Sequence, residues 1–142
     1  MKAILIPARY GSTRFPGKPL AMIAGVPMIA RVWYQCDTAT GFDMVSILTD
    51  DTRIHLEALK YGCEVICQDV QATNGTERIA YYVRERFDDK DIIINVQGDE
   101  PLITPDIPQR LRFNIENRPG FVWTAVRPLK SEERDNPNVT KC

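Results

Sequence analysis

Short apolar runs alternate along this chain with stretches in which apolar residues recur three or four positions apart, the signature of strands alternating with helices. Residues Lys2 to Pro7 read KAILIP, too short for a buried helix and bounded by a Gly/Pro-containing loop, which predicts a strand covered on both faces. From Ala8 to Gly25, glycines and prolines mix with three cations, predicting a long loop with at most a turn of helix. Pro27 suits a first helical turn, and Met28, Ile29, Val32 and Trp33 then share one helical face up to about Asp37. The β-formers of Met44 to Thr49 predict a second strand. Asp50 or Asp51 then caps a helix that carries Ile54, Ala58 and Leu59 and stops at Gly62.

Cys63 to Cys67 predicts a third strand, after which Asn74 and Glu77 have the spacing of a capping box for a helix presenting Ile79, Ala80, Val83 and Phe87. Asp91 to Gln97, DIIINVQ, is the strongest strand pattern in the chain. Thr104, Pro105 and Asp106 give the cap, first-turn proline and acidic first turn of another helix, which ends before Arg118-Pro119-Gly120. Phe121 to Arg127 predicts a fifth strand, and Val139-Thr140 the start of one more. Such alternation specifies a Rossmann-like α/β fold, a mostly parallel sheet flanked by helices with ligands at the carboxyl ends of its strands.

The 142 residues, 44% hydrophobic and 26% charged, suit one folding unit over 1–142 with no internal repeat or linker. A domain of this size removes roughly 68–70% of its unfolded surface from water, so a core forms without disulfide or metal staples. A net charge of −1, with no long single-sign run, argues against nucleic acid as a partner. The opening apolar stretch falls short of the roughly 7–15 residues of a signal-peptide core, and nothing approaches the roughly 20 that span a bilayer, so membrane insertion is not expected and the expected location is cytoplasmic. The four cysteines show no C-x-x-C spacing and read as reduced thiols, and His55, the single histidine, removes any multi-histidine metal site.

Three constellations carry candidate chemistry. After the first strand, Arg9, Arg14 and Lys18 lie among Gly11, Ser12 and Gly17; glycines admit backbone N–H groups to phosphate oxygens, arginine binds them bidentately, and lysine adds a point charge. This is not a Walker A loop, because five residues separate Gly11 from Gly17 and Pro19 follows Lys18. The second, NVQGDEP from Asn95 to Pro101, brings Asp99 and Glu100 to the end of a buried strand, where Asp99 suits Mg²⁺ shared with substrate phosphates. The third, TNGTER from Thr73 to Arg78, offers a helix start and an arginine for an anion, although an ordinary cap explains Asn74 and Glu77 equally well. Thr49-Asp50-Asp51 ends a strand on the same sheet edge, as a pocket wall or as a plain helix cap.

Taken together, IPARYGSTRFPGKPL at 6–20, TDD at 49–51, NGTERIA at 74–80 and NVQGDEPLI at 95–103 resemble, in order and spacing, the 3-deoxy-manno-octulosonate (Kdo) cytidylyltransferases, or CMP-Kdo synthetases. The resemblance implies a nucleotidyltransferase that couples CTP to a Kdo-like sugar acid in lipopolysaccharide precursor synthesis, releasing pyrophosphate with Mg²⁺ as cofactor. It assigns Arg9, Ser12, Arg14 and Lys18 to the triphosphate and backbone groups from Ala8 to Gly11 to the cytosine. Asn74, Gly75, Arg78 and Gln97 would line the base and sugar pocket. Asp99 would ligate the metal, the catalytic electrostatics resting on Arg9, Arg14, Lys18 and Asp99. Val70-Gln71-Ala72-Thr73 and Glu77 depart from the family's His-Gln-Ser-Gly-Thr-Asp-Arg run, which leaves the acceptor open. The family fold continues beyond this length, so the domain is expected to be incomplete at its C-terminus: either the chain is part of a longer product or a partner chain completes the site, and a homodimer is the other partner the resemblance implies. The alternatives are a non-catalytic CTP-binding fragment and a related nonulosonate or sugar nucleotidyltransferase.

Overall fold

The computed structural model describes residues 1–11 and 15–136. Strand β1 (Lys2–Ala8) has every residue after Lys2 buried, as its unbroken apolar run requires. It lies inside a parallel sheet, pairing with β4 (Met44–Thr49) on one side and β6 (Ile92–Asn95) on the other, with Ile6 opposite Ile47 and Ile4 opposite Ile94. Strand β5 (Val65–Cys67) extends the sheet beyond β4, giving the order β5-β4-β1-β6. The chain thus steps outward from β1 and later returns to the opposite side of β1. In an open α/β sheet such a reversal opens a crevice at the carboxyl ends of the strands, here between β1 and β6.

Alternation along β1 sends its side chains into two cores. Ile4, Ile6 and Ala8 pack with Ile29, Val32 and Trp33 of α1 (Met28–Asp37), Ile54 and Ala58 of α2 (Thr52–Lys60), and the half-buried Leu111 and Ile115 of α4 (Asp106–Asn117). Ala3 and Leu5 pack with Leu48 and with Ile79 and Tyr82 of α3 (Gly75–Val83) on the other face. Ile4, Leu5 and Ile6 are fully buried, each contributing about 1.5–3 kcal/mol by the usual measure of apolar burial. Trp33 is core as well, its indole N–H donating to the Val45 carbonyl at 2.9 Å. Phe87 lies beyond the end of α3 and reaches the second core from a turn, its ring 5.9 Å from that of Tyr82.

The loop expected from Ala8 to Gly25 holds more order than its composition announces. Lys18–Leu20 form a 3₁₀ turn, and β2 (Met22–Ile23) pairs antiparallel with β3 (Val26–Pro27). Ala24 and Gly25 turn this hairpin with φ of 46° and 78°, the two left-handed residues of a type I′ turn. Alanine is rarely found there, and two-residue strands carry no readable period. Arg31 holds the turn by donating to the Ile23 and Ala24 carbonyls at 2.6 and 3.1 Å.

One expected strand does not form. Phe121 to Arg127 has no regular structure, and Phe121, Val122 and Val126 are exposed. β-propensity expresses a fit to a half-buried pleated surface, and among the described residues no strand pairs with this segment and no core covers it. Trp123, within this segment, is half-buried. The further strand expected at Val139-Thr140 falls outside the described residues. No helix among the described residues is long and apolar enough to cross a membrane.

Cys36 and Cys63 are buried, whereas Cys67, at the end of the edge strand, is exposed. Burial pushes the Cys36 thiol up to about 12 and the Cys63 thiol up to about 11, far above the pH at which thiolates are normally available. Iodoacetamide at pH 8 is therefore expected to label Cys67 well before Cys36 and Cys63. Peptide mapping by mass spectrometry that finds the three labelled at equal rates in folded protein would contradict this packing.

Candidate active site

The carboxyl end of β1 carries the first wall of the crevice. The chain leaves the strand at Ala8 and closes a loop in which the Gly17 N–H donates to the Tyr10 carbonyl at 2.9 Å. Gly17 has φ of 71°, which favours glycine by conformation, and a Cβ there would crowd the Tyr10 ring at 3.1 Å. The Tyr10 ring also carries the Arg53 guanidinium, 3.3 Å above its centre. Arg53 in turn makes a two-pronged pair with Asp51 at 3.0 and 2.6 Å, which holds the Asp51 carboxyl below the ordinary carboxylate range. This clasp carries the loop to Lys18, whose Nζ lies 2.7 Å from Asp99 Oδ2.

The second wall is the first turn of α3. Asn74 caps it, accepting from the Glu77 N–H at 2.9 Å. The reciprocal half of the expected capping box is displaced by one residue: the Glu77 carboxylate accepts from the Thr73 N–H and hydroxyl at 2.6 and 2.7 Å. These two bonds pull the Glu77 carboxyl below its ordinary value. Thr73 also receives Arg9, whose Nη1 donates to its carbonyl at 3.1 Å and so ties the first wall to the second. One turn along, Arg78 is only 2% exposed and pairs with Asp50 at 2.6 Å.

The floor follows β6. The Val96 N–H still donates to the Leu5 carbonyl at 3.1 Å, after which Gln97 and Glu100 close a turn, the Glu100 N–H donating to the Gln97 carbonyl at 3.2 Å. Gly98 sits inside that turn. A Cβ there would be 2.9 Å from the Pro7 carbonyl oxygen and 3.0 Å from Ile29 Cδ1. The turn therefore lies flat on the end of β1 and lifts Asp99 into the crevice beside Lys18.

A cavity of about 530 Å³ lies between these walls, within the range of small-molecule sites. Ala8, Arg9 and Lys18 line it from the first loop, Asn74, Gly75 and Arg78 from α3, and Gln97 and Asp99 from the floor. Eight of the sequence-predicted site residues are thus brought together. Gly11 is exposed and not part of the lining, because the loop turns away after Arg9. Ser12 and Arg14 fall outside the described residues. Sequence reasoning missed the apolar contributions of Pro7, Phe15 and Met28, which read as strand end, loop and helix core, and it missed Gly98, whose signal was its place inside NVQGDEP. Three cations, a helix start and one carboxylate therefore share a single concave surface, an arrangement that suits a polyanionic ligand carrying a divalent cation. Exposed ion pairs contribute only about 0–1 kcal/mol, so the Lys18–Asp99 pair, each side chain close to half exposed, can exchange for ligand contacts at little cost.

A family model described as Cytidylyltransferase matches residues 3–142. The 3-deoxy-manno-octulosonate cytidylyltransferase of Myxococcus xanthus is 44% identical over 138 residues, covering 97% of this chain and 56% of that protein. An 8-amino-3,8-dideoxy-manno-octulosonate cytidylyltransferase from Shewanella woodyi is 40% identical over 142 residues, covering 97% of this chain and 58% of its own length. A solved structure of CMP:2-keto-3-deoxy-manno-octonic acid synthetase complexed with CTP superposes with a TM-score of 0.78 at 37% identity, covering 84% of this chain and 48% of that one. The chain spans about half the length of the relatives it matches.

Gly98→Ala is expected to destabilise the fold by about 1–3 kcal/mol, the usual cost of overpacking, because backbone and not a flexible side chain opposes the added methyl; a urea midpoint equal to that of the parent would contradict the close approach. The Glu77 pairing also has a pH signature. Since the folded state lowers this carboxyl, its stabilisation of the helix start is present above the ordinary value of 4.5 and lost as pH falls through the lower folded value. Amide exchange at residues 74–78 should accelerate, relative to the mid-helix amides of α2, only as pH falls below about 4.5, and in Glu77→Gln that pH dependence should vanish.

Proposed function

The chain belongs to the cytidylyltransferase family, and from that premise we propose that its cavity binds CTP with Mg²⁺ and serves transfer of the cytidylyl group to a 3-deoxy-manno-octulosonate-type sugar acid in lipopolysaccharide precursor synthesis. The observation that carries this reading is the convergence of Arg9, Lys18, Arg78 and the start of α3 on one cavity that also receives Asp99. The anomeric hydroxyl oxygen of the acceptor forms a bond to the α-phosphorus as its O–H bond breaks and the proton passes to water in the open cavity; the bond from that phosphorus to the bridging oxygen breaks, and pyrophosphate departs with the bonding pair. No nucleophilic side chain is needed. The work is positioning and charge stabilisation.

In this reading Lys18 leaves Asp99 and turns its ammonium to the triphosphate, while Arg9, already anchored to the Thr73 carbonyl, presents its remaining N–H groups to the same oxygens. Arg78, with Asn74 and Gly75 at the start of α3, faces the nucleoside and acceptor side, and Gln97 offers an amide to the base or sugar. Among the described residues there is no group of three or more Asp, Glu, His or Cys able to hold a metal on their own. That donor set fits Mg²⁺, which binds through one or two carboxylates and completes its octahedron with phosphates and water, with Asp99 as the ligand from this chain. When bound, the ion neutralises charge developing on the phosphates. The two relatives act, by their names, on acceptors that differ at one substituent, so the acceptor proposed here is the shared 3-deoxy-manno-octulosonate skeleton. A second reading, CTP binding without turnover, draws support from the single lining carboxylate, Asp99.

Lys18→Ala should weaken CTP binding by about 1.5–3 kcal/mol, the usual value of a charge-assisted contact, in calorimetric titration with Mg²⁺ present. An unchanged affinity would remove Lys18 from the triphosphate. Asp99→Asn should flatten the dependence of CTP binding on Mg²⁺ concentration. A Mg²⁺ titration that matches the parent would remove Asp99 from the metal. A pyrophosphate-release assay with Kdo separates the two readings: release supports transfer, and binding without release supports the nucleotide-binding unit.

A further inference from the structure

Asp50 and Asp51 both follow β4, and either could have capped α2. The structure divides their roles. Asp51 is the cap, accepting from the Arg53 N–H at 2.9 Å and pairing with the Arg53 side chain. Asp50 caps nothing. Its Oδ2 instead accepts from Arg78 Nη2 at 2.6 Å, across 28 positions of sequence and from a different element.

Arg78 is an unusual cation. It is 2% exposed, it lines the cavity, and its Nη1 is buried with no hydrogen-bond partner among the described residues. A guanidinium removed from water is costly unless an opposite charge faces it and its N–H groups are matched, and Asp50 supplies the only ion pair found for Arg78 among the described residues. The backbone around it is anchored too: the Arg78 carbonyl accepts from Gln68 Nε2 at 3.5 Å, and the Gln68 N–H donates to the Thr49 carbonyl at 2.8 Å, directly before Asp50. One carboxylate thus constrains the directions of all five N–H groups of a rigid fork, because a guanidinium is planar and holding one nitrogen limits the others. Asp50 is itself 37% exposed, so it gives up little hydration while holding the Arg78 guanidinium in one orientation.

We infer that Asp50 is a positioning residue: by gripping one end of the buried Arg78 guanidinium it aims the unpartnered end at an anionic group, carboxylate or phosphate, of the ligand held in the cavity. The inference rests on the CTP-binding reading of that cavity and adds to it a residue that touches no ligand itself. It also explains why two aspartates stand in a row after β4, one for the helix and one for the site.

The test uses the full chain and three variants, Asp50→Asn, Asp50→Glu and Arg78→Lys. Nitrogen-15 spectra of the arginine side chains of the ligand-free parent should show one guanidinium with hindered rotation and slow exchange, assigned to Arg78 by its loss in Arg78→Lys. In Asp50→Asn that signal should collapse to free rotation, with Asp50→Glu recovering it in part. CTP titration should show affinity falling about tenfold in Asp50→Asn and partly restored in Asp50→Glu, at temperatures where thermal melts show each variant folded. Unchanged guanidinium spectra in Asp50→Asn would overturn the inference. So would a loss of melting temperature shared by Asn and Glu variants with CTP affinity unmoved, since that is the mark of a merely structural pair. Failure of the CTP reading looks different: the parent itself binds no CTP while its Arg78 signal remains hindered, and the anion-aiming role then falls with it.

Discussion

Pro7, the last residue but one of β1, is approached from two sides at distances that leave no room for a side chain. A Cβ on Gly75 would lie 2.8 Å from the proline ring, and one on Gly98 would lie 2.9 Å from the proline carbonyl. The start of α3 and the turn after β6 are therefore pressed against the same strand end, and the walls of the cavity follow from that contact. Proline is acceptable in a central strand only where the ladder is ending, which is where it stands here. The strand order makes this end the meeting point, because the chain reverses about β1 and brings β6 beside it.

On that frame the charges have graded roles set by their exposure. Lys18 and Asp99 form a pair that solvent weakens, so either partner is free to meet a ligand. Arg9 is exposed but anchored through the Thr73 carbonyl, and thereby couples the two walls. Arg78 is buried, with Asp50 facing it, and is the least adjustable of the three cations. A site made this way offers weakly held charges at its mouth and a fixed one in its wall. That ordering suits a ligand whose flexible polyphosphate enters last and whose rigid part must be held in one orientation.

Much of this was legible in the sequence where the signal is periodic. The runs of β1, β4 and β6 and the apolar faces of α1, α2 and α3 announce themselves because burial on one or both faces dictates their spacing. Part of the cavity was legible for a different reason: cations set among glycines and a carboxylate at a strand end pointed to Arg9, Lys18 and Asp99, whereas Asn74, Gly75, Arg78 and Gln97 could be assigned to the pocket only through the resemblance to a known family, since an ordinary helix cap explained Asn74 equally well. What escaped depends on tertiary geometry. The hairpin at Met22–Pro27 turns on an alanine in a conformation alanine rarely adopts, and Phe121–Arg127 has strand composition without a strand to pair with. Asp50 could not be told from Asp51, since only the fold reveals that Arg78 returns to one of them.

The central claim is that three segments distant in sequence close on one nucleotide at the end of β1. Amide chemical-shift mapping of the isotopically labelled chain, titrated with CTP and Mg²⁺, tests it most directly. The account predicts shifts concentrated at residues 8–9 and 18 of the first loop, 74–78 and 97–99, saturating together with one binding constant, while Asp43 and Asp91 at the opposite end of the sheet stay unmoved. Shifts that saturate with different constants in the three segments, or that gather at the far end of the sheet, would contradict it.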